Sequence, residues 1–463
     1  MPAEIVLCTL NARWSHTSLA LRCLQANLGE LQARSISLEF VIGVRAEKVA
    51  QRLLDHSPRI VGFSVYIWNV SEITRIVRLL KLLAPQIIVV LGGPEVSHDQ
   101  EGLEIARLAD HVIQGPGEKS FANLCRGILM GPRPLMKLIP GDAASADQLA
   151  TLKAPYRLYS DGDLRQRLTY VEASRGCPFK CEFCLSALDK TAWAFPLNDV
   201  LAHLDELYRR GARTFKFIDR TFNLKIENSR AILRFFLERY QADDPVFAHF
   251  EVIPDHLPQG LRELVREFRP GALQFEIGIQ SLDPQVQARI SRRQDNAKAE
   301  ANIRWLVEHT QVHLHLDLIA GLPGETLDGF GNGFDRLVDW LDLASGRKHD
   351  IQLGLLKRLR GAPIARHIGP YVMVFDPDPP YALLKSDVLS FEQVRRFQRA
   401  ASHWEQLQAL DHAPWRDRLF RGSSFQNLLQ LSQWLDTVSD APERFAPARL
   451  EKLMGQWEQV ALQ

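Results

Sequence analysis

The sequence predicts an α/β protein: two parallel-sheet domains in series, then a helical C-terminal segment. Three observations carry this. Short apolar runs alternate with amphipathic helical stretches from Glu4 to about Met130, the alternation resumes from Leu168 to about Leu359, and the strand pattern lapses after Asp376-Pro377-Asp378-Pro379-Pro380. With 463 residues, 46% of them hydrophobic and 24% charged, the chain can bury large cores in two or three domains. A net charge of +1 demands neither nucleic acid nor an anionic membrane as partner. No apolar run approaches the length of a transmembrane helix, and Met1-Pro2-Ala3-Glu4-Ile5 enters a strand without a charged leader, so a cytoplasmic protein is expected. Six cysteines, three of them clustered, fit a reducing compartment rather than a disulfide framework.

In the first domain the expected strands are Ile5–Leu10, Ser37–Ile42, Ile60–Ile67, Ile87–Leu91 and His111–Gln114. Between them lie helices such as Ser18–Leu31 and Ser71–Leu83, the second carrying Ile73, Ile76, Val77 and Leu80 on one face. Continuous apolar strands separated by helices indicate a Rossmann-like, doubly wound parallel sheet, whose ligands sit beyond the carboxyl ends of the strands. The loops there are Tyr66-Ile67-Trp68-Asn69, Gly92-Gly93-Pro94-Glu95 and Gly115-Pro116-Gly117-Glu118. Their glycines suit either close backbone approach to a ligand or tight turns before helices. Residues 131–165, with Pro132, Pro134, Pro140, Gly141 and Ala143-Ala144-Ser145-Ala146, read as a linker. The expected divisions are 1–135, a linker at 136–166, 167–372 and 373–463.

The second domain has expected strands Leu168–Ala173, Thr214–Asp219, Val246–Ile253, Leu273–Ile279, Val312–Ile319 and Ile351–Leu356. A helix begins near Asn198, an expected N-cap, and stops at Gly211. Six such units make a curved parallel sheet. Period two puts His313, His315 and Asp317 on one strand face, Glu276 and Gln280 with Gly278 on another, and His249 with Glu251 on a third. With helices covering the apolar faces, these polar faces point inward. Barrel interiors are normally packed with branched aliphatics, so a lumen of Glu, Gln, His and Asp suggests bound polar ligands; mutual pairing is the competing explanation. The C-terminal segment carries expected helices Ser390–Leu410, Ser423–Asp436 and Pro447–Gln463. Its Trp404, Trp415, Trp434 and Trp457 are read as packing anchors or, alternatively, a substrate lid.

The stretch Arg175-Gly176-Cys177-Pro178-Phe179-Lys180-Cys181-Glu182-Phe183-Cys184 places three thiols in the spacing C-x3-C-x2-C. That set can hold three irons of a cubane cluster and leave the fourth open. A closed zinc site wants four ligands, often as two C-x2-C pairs, and no second pair exists. Cys8, Cys23 and Cys125 are scattered in apolar surroundings.

The cysteine loop resembles that of the radical S-adenosylmethionine (SAM) enzymes. This implies a partial (β/α)6 barrel and a [4Fe-4S] cluster on Cys177, Cys181 and Cys184, whose open iron chelates SAM and whose electron cleaves it to a 5′-deoxyadenosyl radical. By the same resemblance Phe183 packs on the adenine, Glu276 and Gln280 contact the SAM ribose or carboxylate, Ala320 in Ile319–Glu325 supports the adenosine, and Leu355 and Leu356 edge the adenine. Families often carry G-G-E at the second strand; this chain has Ile218-Asp219-Arg220, which leaves Asp219 to accept the SAM ammonium. The preceding Rossmann-like domain, with its G-G-P and G-x-G-E loops, resembles the cobalamin-binding domain of the cobalamin-dependent radical SAM superfamily. Nearly the whole chain is similar to a bacterial subgroup of that superfamily with an additional C-terminal domain of unknown function. The D-x-H-x-x-G motif is absent, and His16, His56, His98 and His111 lie outside it. The resemblance therefore implies cobalamin without a protein histidine on cobalt, Tyr66, Trp68 and Asn69 near the lower corrin face, and Gly92, Gly93, Pro94, Gly115, Gly117 and Glu118 around the cofactor.

The implied function is methylation of an unactivated carbon through methylcobalamin and the 5′-deoxyadenosyl radical. The alternatives are a rearrangement or cyclisation with the same cofactors, and a non-catalytic cobalamin- or redox-responsive binding protein. The expected partners are a small-molecule, peptide or RNA substrate and a flavodoxin- or ferredoxin-type electron donor, with neither membrane nor DNA. The basic run Lys357-Arg358-Leu359-Arg360 reads as a solvated or phosphate-facing turn.

Overall fold

Seven consecutive buried residues in Ile5–Asn11 can be covered only by helices on both faces, and that strand lies inside a six-stranded parallel sheet. The computed structural model describes residues 3–142, 145–189, 191–410, 415–438 and 444–460. The sheet comprises β1 (Ile5–Asn11), β2 (Ser35–Val41), β3 (Ile60–Ser64), β4 (Ile88–Gly92), β5 (His111–Gln114) and β6 (Leu138–Pro140), in the order β2-β1-β3-β4-β5-β6. The strand order reverses between β1 and β3, which opens a crevice at their carboxyl ends.

Local chemistry moves several expected boundaries. β3 stops at Ser64 rather than Ile67 because Asn69 Oδ1 accepts the Tyr66 N–H at 2.8 Å while its Nδ2 donates to the Leu10 carbonyl at 3.0 Å, turning the chain. The first helix starts at Leu19, with Ser18 as its cap rather than its first residue, and ends at Ala26; Asn27 binds the Lys153 carbonyl, and Gly29, at φ +62°, opens a 3-10 turn. The expected linker is not an irregular connection. It supplies β6 to the sheet edge, Asp142 caps the helix Glu118–Met130 through the Lys119 and Ser120 N–H groups, and helices Ala146–Thr151 and Asp161–Gln166 follow. Ala143 and Ala144 lie outside the described residues.

The second sheet is also parallel and six-stranded. Its strands are β7 (Thr169–Val171), then, beyond an antiparallel pair of two-residue strands, β8 (Ser174–Arg175) and β9 (Trp193–Ala194), that bracket the cysteine loop, β10 (Thr214–Phe217), β11 (Phe247–Glu251), β12 (Leu273–Gln280), β13 (His313–Ala320) and β14 (Asp350–Leu355). The order β14-β13-β12-β11-β10-β7 is that of a partial barrel. Burial in β12 and β13 alternates strictly, with Leu273, Phe275, Ile277 and Ile279 buried and the polar face half-buried. The helix after the cysteine loop is Leu197–Arg209, with Pro196 rather than Asn198 at the cap position and no side-chain cap; the proline's fixed φ already turns the chain. Gly211, at φ +103°, ends it as expected.

The C-terminal segment is not wholly helical: β15 (Val374–Phe375) and β16 (Leu383–Lys385) pair antiparallel before helices Phe391–Gln408, Arg416–Leu419, Ser424–Thr437 and Pro447–Val460. Residues 461–463 of the expected last helix lie outside the described residues. This segment shares one continuous apolar core with the barrel: Phe330 and Phe334 meet Phe397, Trp404 and Phe425 at ring separations of 5.1–5.5 Å. Trp404, Trp415 and Trp457 are buried and Trp434 half-buried. Trp404 donates to the Ile351 carbonyl at 2.6 Å, and with Trp415 it packs at the amino ends of β13 and β14, so these two are anchors and not a lid over the carboxyl ends. Among the described residues no helix is long and apolar enough to cross a membrane.

Candidate active site

The cysteine loop is closed at its base by the β8–β9 hairpin, where Gly176 at φ +92° lies so near the Thr191 carbonyl that a Cβ would collide with it. Cys177 and Cys181 are buried and Cys184 is half-buried. Glu182, between the second and third thiols, is a buried anchor. It accepts from Ser291 Oγ at 2.5 Å, pairs with His367 Nε2 at 2.8 Å, and receives the Arg366 guanidinium. Its backbone N–H and carbonyl are taken by Ile290 and Ile364. Arg292 donates to Cys181 Sγ at 3.5 Å and to the Gly278 carbonyl, tying the loop to β12.

A cavity of about 280 Å³ opens beside the loop, bounded by the three cysteines, Phe183, Thr221, Glu251, Glu276, Gln280, Arg292 and Asp317. Three buried oxygens of its lining residues make no hydrogen bond among the described residues, Gln280 Oε1, Thr221 Oγ1 and Asp317 Oδ1. Gln280 sits at φ +69°, a strained backbone for a non-glycine residue of the kind that concentrates at ligand sites. Burial pushes the Cys177 thiol up, and the two neighbouring sulfurs push the same way, so a thiolate set here calls for cationic iron. Among the described residues no three His, Cys, Asp or Glu side chains converge on a single ion. A cubane takes its thiolates from separate corners and needs no such convergence.

Deeper in the lumen several polar groups pair with one another, while His249 Nδ1 and Asp317 Oδ1 make no hydrogen bond among the described residues. His249 Nε2 lies 3.0 Å and Lys216 Nζ 3.6 Å from Glu276 Oε2; His315 lies 3.5 Å from Asp317, 3.6 Å from Asp350 and 3.1 Å from Gln352; His313 lies 3.3 Å from Asp350. Burial would raise the Glu276 carboxyl, but the His249 hydrogen bond and the Lys216 and His315 charges hold it at about 2. Burial would lower His315, yet Asp317 and Asp350 push it up to about 10. Glu251, paired with Arg220 at 3.2 Å, is raised by burial and by the neighbouring Glu276.

Of the residues expected at this site, the structure gathers Cys177, Cys181, Cys184, Phe183, Glu276 and Gln280 around one cavity. Asp219 is elsewhere: it accepts the Ala173 N–H at 2.9 Å and the Ser174 hydroxyl at 2.5 Å, and burial pushes it up to about 7. Its occupied, buried carboxyl corrects the expectation that it receives an ammonium from the cavity. Ala320 and Leu355 pair across β13–β14 and do not line the cavity. Thr221 and Arg292 went unnoticed in the sequence because neither belongs to a spaced motif.

At the crevice of the first sheet, Tyr66 stacks on Trp68 at 4.3 Å, and Trp68 is 46% exposed. Asn69 is fully buried and spent on backbone groups and Thr9, so it shapes the turn without facing outward. Space beside Gly92 and Gly115 is open, whereas a Cβ on Gly93 would strike the Val65 carbonyl; Pro94 starts a 3-10 turn and Gly117 packs on Ile113. Glu118 is not free for a ligand: it pairs with Arg175 at 2.6 Å, and Arg175 also pairs with Glu172 at 2.6 Å. Trp14, three residues past the carboxyl end of β1, is also exposed, and a lone tryptophan in a loop carries no spacing signal in the sequence. Open backbone at two glycines and exposed aromatics suit a large flat ligand.

Residues 7–125 match the B12 binding domain and residues 171–337 match the radical SAM superfamily. The chain belongs to the cobalamin-dependent radical SAM superfamily. Its domains are those of cobalamin and of a [4Fe-4S] cluster with SAM. Similar proteins include the cobalamin-dependent radical SAM methyltransferase TokK of Streptomyces tokunonensis, 23% identical, and the 2-(S-pantetheinyl)-carbapenam-3-carboxylate methyltransferase of Streptantibioticus cattleyicolor, 24% identical; each match covers 66% of this chain and 48% of the relative. The chain thus spans about half the length of these curated relatives. Among solved structures, the radical SAM methyltransferase TsrM of Kitasatospora setae, with cobalamin and a [4Fe-4S] cluster bound, shares the fold at TM-score 0.62 and 17% identity, over 82% of each chain.

Proposed function

We propose that this cobalamin-dependent radical SAM protein is a methyltransferase acting on an unactivated carbon, with the division 1–135, 136–166, 167–372 and 373–463 into corrin domain, connection, barrel and C-terminal segment. The observation that carries the reading is the cavity at the carboxyl ends of the barrel strands, where three cysteines meet the unpartnered Gln280 and Thr221. The methyltransferase names of its relatives favour methyl transfer over rearrangement. When bound, the cluster with SAM supplies hydrogen-atom abstraction and cobalamin supplies methyl transfer.

In this reading Cys177, Cys181 and Cys184 hold the cluster, and Phe183 covers the adenine. Gln280 and Thr221 supply the hydrogen bonds their buried atoms lack. Glu276 stays ionised at neutral pH and, held by His249 and Lys216, offers a fixed negative charge. Asp219 does not line the cavity, whose carboxylates are Glu251, Asp255, Glu276 and Asp317, and the SAM ammonium falls to this set. On the first sheet Tyr66, Trp68 and Trp14 would line the corrin site, while His16 is held by Tyr170 at 2.5 Å and His111 by the Met136 carbonyl at 2.8 Å. The substrate is a small molecule, a peptide or an RNA, and a flavodoxin- or ferredoxin-type protein supplies electrons.

Quantifying S-adenosylhomocysteine beside 5′-deoxyadenosine from the reduced, reconstituted chain tests this. Methylation gives both; deoxyadenosine with little S-adenosylhomocysteine would point to rearrangement or cyclisation, and neither product would leave only a binding protein.

A further inference from the structure

The floor of the barrel holds a cavity of about 210 Å³ that the proposed chemistry does not use. It lies where the amino ends of β13 and β14 meet the helices Phe391–Gln408 and Arg416–Leu419, at the opposite end of the strands from the Gln280 cavity. Its walls include His313, His349, Asp350, Gln408, Trp415 and Arg416.

The wall is rich in donors that lack acceptors. Trp415 is 2% exposed, and among the described residues neither its Nε1–H nor the Nε–H of Arg416 has a partner. Both groups can only donate. His349 Nδ1 accepts the Leu314 backbone N–H at 3.2 Å, which leaves the proton of the neutral ring on Nε2 as a further donor. Gln408 spends its carbonyl oxygen on the Ile351 N–H at 2.7 Å, so its amide N–H groups remain.

Charge points the same way. Arg416 reaches only the Leu343 and Arg347 carbonyls, at 3.5 and 3.4 Å, and no ion pair joins it among the described residues. Burial lowers its pKa with no opposing carboxylate. Asp350, the carboxylate on the wall, is engaged by His313 and His315. Buried donors without acceptors, and a half-buried cation without a counter-charge, each cost free energy that a bound acceptor of negative charge would recover.

We propose that this cavity binds a small oxyanion, a carboxylate or phosphate carried by a metabolite, between Trp415 and Arg416. Barrel chemistry belongs to the carboxyl face and stability to the amino face, so the anion fastens the C-terminal segment to the barrel rather than taking part in the reaction. The site is independent of the methyltransferase reading.

Calorimetric titration of the full-length reconstituted chain with inorganic phosphate and, separately, with succinate tests the proposal. Saturable binding of either is expected, phosphate alone marking a phosphate ligand and succinate alone a carboxylate. Trp415→Phe, which keeps an aromatic ring and removes one donor to a charged acceptor, should weaken binding about tenfold, and Arg416→Gln should abolish it. In the unaltered chain the melting temperature should rise with anion concentration. No saturable binding of either anion to the unaltered chain, or an affinity unchanged in either variant, would mean a water-filled cavity and overturn the proposal.

Discussion

Glu276 on β12 and His315 on β13 are register partners, and their shifted pKa values make the lumen pH-sensitive. The folded-state pKa of His315 is raised to about 10, above the unfolded value, so its stabilisation is complete below about pH 6.5 and is lost as pH rises towards 10. His315→Gln should flatten the fall in urea midpoint over that window; an unchanged slope would show that other groups set it. Arg292 donates to the thiol of Cys181. Because hydrogen bonds to cluster sulfurs raise the reduction potential, Arg292→Met should lower the midpoint of the reconstituted cluster in an EPR-monitored redox titration, and an unshifted midpoint would remove this role. Period two in the sequence was enough to put Glu276, Gln280, His315 and Asp317 on inward faces. Which of them would already be satisfied was not legible, since His249–Glu276 and His315–Asp350 pair across strands distant in sequence. Asp219 failed for the same reason, its partners Ala173 and Ser174 lying more than forty residues earlier in the chain.

At the scale of elements, the Gly92-Gly93 turn separates a structural requirement from a ligand requirement. Gly93, at φ +108° with its would-be Cβ on the Val65 carbonyl, serves the close approach of β4 to β3; Gly92 faces open space. Gly93→Ala should therefore cost about 1–3 kcal/mol in apo-protein stability. Gly92→Ala should leave the apo-protein melt unchanged and weaken hydroxocobalamin binding, measured by visible absorbance; the reverse pattern would contradict this division. Strands and long amphipathic helices were readable because their periodicity is local. The edge strand β6 was not, since Leu138-Ile139-Pro140 is three residues long, carries a proline, and is a strand only because β5 offers its open edge.

Across the whole molecule, the two sheets meet through buried charge. Arg175, two residues before Cys177, pairs with Glu118 of the first sheet's last glycine loop and with Glu172, the carboxylates being 7% and 6% exposed. A second contact joins Glu95 to Tyr381 at 2.5 Å and to Arg360 at 3.3 Å, giving a domain-junction role to a basic run that the sequence left as a surface turn. Arg175→Met should cost about 3–5 kcal/mol by stranding two buried carboxylates. Denaturant unfolding measures this, and a loss below about 1 kcal/mol would make the contact incidental. The junction brings the crevice of Trp14, Tyr66 and Trp68 to the barrel side of the first sheet, where His16 already touches Tyr170 of β7. If one chain holds both cofactors, metal analysis after anaerobic reconstitution with iron, sulfide and hydroxocobalamin will find both metals. Iron and cobalt should both co-elute with the unaltered chain, and joint alanine replacement of Cys177, Cys181 and Cys184 should remove the iron while cobalt stays; cobalt that never co-elutes, or iron retained without the three thiols, would contradict the account.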